Sequence, residues 1–189
     1  MTWITTNSGK RFDFTQPFDN TFDIHDIAHA LAHINRFTGH TDQPYSVAQH
    51  SVYVSNIVPP RYALAGLMHD AAEAYLGDVS APLKALLPEY KRIEHEVEMA
   101  LWVAFKIPVS DAIHPCIKAA DLRMLATEKR DLVSYDGDWL ALEGITPIED
   151  RIMPWPPLYA EEMFLSRFIE LTQARAVARA LLACAGDAS

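Results

Sequence analysis

The stretch MHDAAEAYLGDVSAP, residues 68–82, places His69, Asp70, Glu73 and Asp78 within ten positions. Imidazole and carboxylate groups are the side chains that ligate divalent ions and move protons near neutral pH. Glu73 follows His69 by four residues and Asp70 by three, so a helix through this stretch turns all three to one sector. The rest of that helix is apolar, and a charged pair there is costly unless it is coordinated or hydrogen-bonded. Upstream, His50 lies in a similar helical pattern between Gln49 and Ser51; downstream, Asp121 lies in KAADLRML among helix-core residues. Taken singly, each signal is weak. A histidine on an apolar face is commonly a satisfied core residue, and an aspartate is commonly a cap or an ion-pair partner.

As a set, His50, the adjacent pair His69-Asp70 and the distant Asp121 resemble the H…HD…D signature of HD-domain metal-dependent phosphohydrolases. HDAAEAYLGDVSAPLK, residues 69–84, is similar to the matching stretch of the bacterial HD-type deoxynucleoside 5'-monophosphatases, the YfbR-like branch. It also resembles small viral HD enzymes that remove triphosphate from a deoxynucleotide. The resemblance spans about residues 24–133. It implies His50, His69, Asp70 and Asp121 as metal ligands and Glu73 as the catalytic carboxylate. Asp78 matches an aspartate that contacts the sugar or supports the site, and Lys84 a lysine near the phosphate. In INRFTGH, residues 34–40, Arg36 resembles an arginine of the phosphate pocket and Phe37 an aromatic packed near sugar or base. Gln49 departs from the pattern, because related chains often carry Glu there; the change removes a charge beside the ligands but no ligand.

Two imidazoles and two carboxylates suit one divalent transition ion, with Co, Mn, Zn, Ni and Fe all compatible. Such an ion acidifies water and polarises a phosphoryl oxygen. Glu73 would orient or deprotonate that water, while Arg36 and Lys84 neutralise charge growing on the phosphate. The expected activity is cleavage of the 5'-phosphate ester of a 2'-deoxynucleotide to deoxynucleoside and phosphate. The alternative is a deoxynucleoside triphosphate triphosphohydrolase, dATP-directed in one version, with additional Mg on its substrate. That reading needs further cations, for which Arg61, Lys91, Arg92, Lys118, Arg123 and Arg130 are available. A signalling-nucleotide hydrolase ranks lower, since those branches lack the full GDVSAP context. A non-catalytic metal-stabilised scaffold is disfavoured by Glu73, Asp78, Arg36 and Lys84 beside the ligands.

Helices must position these residues. Ile24, Ile27, Ala28, Leu31 and Ile34 recur at helical spacing behind Asp23, a capping residue, and the run breaks at Thr38-Gly39. A second helix begins near Pro44–Ser46 and ends at Pro59-Pro60; a third runs from Pro60 to Gly77 through Ala63, Leu67, Asp70 and Ala74. Residues 82–88 read as a short helical turn. A fourth helix carries Ile93, Val97, Ala100, Leu101 and Ala104, and a fifth runs from Ser110 or Pro115 to Leu132. Residues 136–150 hold five acidic side chains and no basic one, and with 153–157 read as a surface excursion. A last helix covers roughly 158–184, before a fraying AGDAS tail. The expectation is one all-α domain over 1–189, a compact HD-domain helical bundle with its core at 23–133. Ser8-Gly9 adds room for a short N-terminal hairpin.

His25, His29 and His33 recur every four residues on the first helix, where a polar face or subunit contact outweighs a second metal site. His40, His95 and His114 are read as surface or packing residues, as are Trp139, Trp155 and Tyr159. Cys116 and Cys184 form no metal-binding spacing and are expected to be buried small hydrophobes. The 189 residues suit one domain, and half of them are hydrophobic, which excludes global disorder. A net charge of -9, without a basic patch, argues against nucleic-acid binding, though not against a small anionic substrate on a metal. No apolar run of membrane-spanning or signal-peptide length occurs, so the cytoplasm is the expected compartment. The family resemblance implies a homodimer or higher homo-oligomer.

Overall fold

An all-α bundle with a short N-terminal hairpin is what these patterns build. The computed structural model describes the backbone of residues 1–186 and the side chains of residues 1–177. The Cys184 side chain and residues 187–189 of the AGDAS tail lie outside the described residues.

Strand β1 (Trp3–Thr5) pairs antiparallel with β2 (Arg11–Asp13), with Ile4 opposite Phe12. Gly9 turns the chain between them at φ +81°, a conformation that L side chains rarely adopt. The turn is fastened to helix α1 (Ile24–His33), because Thr6 Oγ1, Ser8 Oγ and Ser8 N donate to the Asp26 carboxylate at 2.7–2.8 Å. Phe12 is buried and stacks on Tyr75 at 4.2 Å between ring centroids.

Helix starts follow the caps. Asp23 accepts from His25 N at the head of α1. Ser46 accepts from Gln49 N at the head of α2 (Val47–Ile57). Helix α2 is apolar or buried almost all round, as a central helix must be, and packs on α1 and on three later helices. Those three are α3 (Ala63–Leu67), which follows a 3₁₀ turn at Pro60–Tyr62, then α7 (Ile113–Leu132) and α8 (Pro157–Gly186). Helices α4 (Glu73–Leu76), α5 (Ala81–Lys84) and α6 (Pro88–Ala104) precede α7. Pro115 occupies the first turn of α7, where its missing N–H would have no helical partner. Ile27, Leu31, Val47, Leu67, Met68, Leu101, Met124 and Phe164 form the centre of the core.

The third helix does not run unbroken from Pro60 to Gly77. Beyond α3 the backbone tightens: Ala71 N bonds Met68 O, Glu73 N bonds Asp70 O, and Ala74 N bonds Ala71 O, each three residues back. This narrower winding replaces the regular α-helix expected there, yet His69, Asp70 and Glu73 still face one cavity. Gly66 lets α3 lie against α2, since a Cβ there would meet Val58 Cγ2 at 2.9 Å and Ser55 Cα at 3.3 Å.

The expected surface excursion is largely exposed along its length, including residues 149–151 and Met153, but its second part is not loose. Residues 135–147 are largely exposed around a 3₁₀ turn at Leu140–Leu142. Residues 148–155 are tied down instead: Arg130 donates to Ile148 O and Asp150 O, and Ile152 is buried. Cys116 is only half-buried, because it lies in the exposed first turn of α7. No helix among the described residues is long and apolar enough to cross a membrane.

Candidate functional site

Helix α2 buries His50 completely. Its Nδ1 lies 2.6 Å from Glu128 Oε1, and since a carboxylate accepts, that nitrogen carries hydrogen. His69, at the break after α3, likewise commits Nδ1–H to Gly66 O at 2.8 Å. Both imidazoles therefore turn Nε2 inward, and the two Nε2 atoms are 3.3 Å apart. Asp70 Oδ2 lies 3.1 Å from His69 Nε2 and 3.5 Å from His50 Nε2, and Asp121 Oδ1, from α7, lies 3.5 Å from His50 Nε2. The four residues that the resemblance implies as ligands thus come together from three parts of the chain.

With both imidazoles neutral the two Nε2 lone pairs would face each other, an arrangement that either a proton on His50 or a cation between the rings relieves. Ligand atoms around an ion with bonds of about 2.1 Å are roughly 3.0–3.4 Å apart, close to the separations found. His50, His69 and Asp121 are also one of two groups among the described residues whose donor atoms converge within 4.8 Å. The donor set fits a divalent ion.

Electrostatics point the same way. Burial and the Arg36 charge pull the His50 pKa down, but Glu128 and Asp121 outweigh them and raise it to about 9. Burial raises Asp70 and Asp121, yet the nearby histidines hold both carboxyls well below the usual range. A proton on His50 is thus what a metal must displace.

Glu73 is buried, with its Oε2 unpartnered and its Oε1 3.4 Å from Lys84 Nζ. Burial, followed by the charges of Asp70 and Asp78, pushes its pKa well above the normal glutamate value. Asp78 is raised by burial and by Asp70, against the lowering pull of Arg36. Lys84 bonds Glu94 at 2.5 Å, which keeps it charged despite its burial. His69, Asp70, Glu73 and Lys84 line one cavity of about 210 Å³ with Lys91, Glu94, His95 and Glu98.

Arg36 is not a free phosphate arm. It donates through Nε and Nη2 to Glu128 Oε2 at 3.2 and 3.0 Å, and its Nη1 lies 3.6 Å from Asp70 Oδ2. Phe37 is half-exposed, with Arg36 5.5 Å over its ring and Trp139 6.1 Å away. Phe37 and Thr38 have φ of 56° and 55°, strained for L residues and above all for β-branched Thr38. A cavity of about 750 Å³ lies between the end of α7 and residues 135–147; Arg130, offered above as a further cation, lines it, but none of the proposed ligands or catalytic residues does.

Glu128 was missed in the sequence. It is fully buried, joins Arg36 to His50, and stands seven residues after Asp121, on the same face of α7. That spacing was its one signal. It also corrects the reading of Gln49: charge beside His50 is not lost, because Glu128 supplies it. Gln49 has another task, accepting from Trp155 N and donating to Met153 O at 2.8 and 2.9 Å.

Across 93% of this chain and 98% of the other, the protein YfdR of Escherichia coli K12 is 44% identical. The chain belongs to the YfdR family. RCAP_rcc00048 of Rhodobacter capsulatus shares 34% identity over 70% of this YfdR-family chain and 74% of its own. Both relatives are described as uncharacterized. A shorter likeness, 33% over 89 residues, links 44% of the chain to 38% of a Photobacterium profundum protein named 5'-deoxynucleotidase PBPRA2627. No model of a known protein family matches the YfdR-family chain.

Proposed function

We propose that this chain is a divalent-metal-dependent phosphohydrolase of the HD type, which removes the 5'-phosphate from 2'-deoxynucleotides. The observation that carries the reading is the pair of inward-facing imidazole Nε2 atoms, 3.3 Å apart and flanked by Asp70 and Asp121. The partial likeness to a protein named a 5'-deoxynucleotidase supports a nucleotide substrate.

His50, His69, Asp70 and Asp121 hold the ion, a mid-to-late first-row one by its donors. The bound ion supplies positive charge that polarises the phosphoryl oxygen and acidifies water. Glu73 takes a proton from water at Oε2, the oxygen without a partner, and its raised pKa makes it a stronger base than an ordinary glutamate. Lys84 and Arg36 bind phosphate oxygens, each exchanging part of its bonding to Glu94 or Asp70 for the substrate. Asp78 receives a sugar hydroxyl, and Phe37 packs against sugar or base.

The cavity size favours a monophosphate. About 210 Å³ beside Glu73 and Lys84 is below the usual range of roughly 300–1,000 Å³ for a whole ligand and holds a phosphate, with Arg36, Asp78 and Phe37 outside its lining. The test is incubation of the metal-supplemented protein with deoxynucleoside mono- and triphosphates, with products separated by chromatography. Nucleoside and phosphate from monophosphates alone is the expected result. Release of intact triphosphate would replace the leaving group in this reading, and no product from either substrate would overturn it.

A further inference from the structure

The second convergent donor group lies away from the His50 cluster and shares no residue with it. His29 and His33, one turn apart on α1, meet Glu161 of α8, and one donor atom from each lies within 4.8 Å of the others. His29 Nδ1 is 3.0 Å from Glu161 Oε2. His33 Nδ1 is 2.8 Å from His29 O, and because a carbonyl only accepts, the His33 hydrogen sits on Nδ1 and Nε2 keeps its lone pair. The two rings lie side by side, 4.3 Å between centroids. His25, one turn earlier, is not part of the group.

We propose that His29, His33 and Glu161 form a second metal site, for zinc or a neighbouring borderline ion such as nickel or cobalt(II), that fastens α8 to α1. Three features of the site argue for it. The His29–Glu161 separation matches the roughly 3.0–3.4 Å between neighbouring ligands of such an ion. His33 is the last residue of α1, so a cation there sits at the negative end of the helix dipole. The group is also open enough for entry and for water in the remaining positions, with His33 exposed and the His29 side chain 36% exposed. Two imidazoles and a single carboxylate select against calcium and magnesium, which take oxygen ligands. A plain ion pair between His29 and Glu161 would leave His33 with no part in it.

The test is calorimetric titration of chelator-treated protein with zinc, with the unfolding temperature followed alongside. The full chain is compared with His33→Ala, Glu161→Gln and His69→Ala. The full chain is expected to show two classes of binding. His33→Ala and Glu161→Gln should lose the same class, and His69→Ala should keep that class and still gain unfolding temperature with zinc. His33 is exposed and Glu161→Gln nearly isosteric, so neither threatens folding. Zinc isotherms of His33→Ala and Glu161→Gln that match the full chain would overturn the proposal and leave the ion pair. Loss of one class in those two variants, with no change in His69→Ala, would keep this site and sink the reading of the His50 cluster instead.

Discussion

With Glu128 changed to Gln, His50 keeps a hydrogen-bonding partner but loses the carboxylate that orients its ring, and Arg36 loses its main counter-charge. Removing such a partner typically costs 10–100-fold in metal affinity, and a drop of about that size is expected for Glu128→Gln by metal titration. Glu73→Gln should separate chemistry from stability. Its rate should fall by about 10²–10⁴-fold with metal binding retained. A carboxyl raised by burial favours the protonated fold, so its ionisation costs stability once the pH exceeds its unfolded value. Glu73→Gln should therefore unfold at a higher temperature than the unaltered protein at pH 7, as scanning calorimetry would show. His50 has the opposite sign. Raised from 6.5 to about 9, it stabilises the metal-free fold fully below pH 6.5 and loses that contribution as the pH climbs towards 9. Chelated protein should lose unfolding temperature across that window, and metal-loaded protein should lose less. His50, His69, Asp70 and Asp121 were legible as a set through their resemblance to the H…HD…D signature, since each alone reads as a core histidine, a cap or an ion-pair partner. Glu128 was not, because EKRD near a helix end is ordinary surface composition, and its partners are 78 and 92 residues away.

Helix boundaries were legible wherever a capping or breaking residue marks them: Asp23, Ser46 and the Pro59-Pro60 pair all stand at or next to observed ends. The break after α3 was not, since LMHDAAEAYL is composed largely of good helix formers and a shift from four-residue to three-residue bonding leaves no trace in composition. The docking of residues 148–155 escaped for a different reason, because it depends on Gln49 and Arg130 reaching backbone atoms remote in the chain. Gly66 supports the break from behind, giving its carbonyl to His69 while α3 presses on α2. Gly66→Ala would force Val58 aside and press on the Ser55 backbone. An overpacking loss of about 1–3 kcal/mol is expected in urea unfolding. Weaker metal binding should accompany it, because His69 moves with the Gly66 carbonyl.

At the scale of the whole molecule, the acidic surface and the acidic cluster act in opposite ways. If the proposed function holds, a net charge of -9 repels the nucleotide at long range, and binding should depend on local positive charge from the ion, Arg36 and Lys84. The cluster also ties α2 to the α3–α4 break and to α7, and an ion bound only by the folded state stabilises it by mass action. A free ion concentration 100 times its dissociation constant is worth about 2.7 kcal/mol, so the unfolding temperature should rise steadily with added metal and return to its starting value with chelator. The placement of Glu128 has a consequence for how the chain is made. Arg36 and His50 are made before Glu128, and the fully buried carboxylate that bonds both of them lies on a helix still unsynthesised, leaving Asp70 as their shared counter-charge until then. Until residue 128 has emerged, closing that interior would leave two cations with Asp70 alone to oppose them, so the segment before α7 should stay open to proteases. Nascent chains arrested short of α7 should be cut within α2, and those arrested well beyond it should resist.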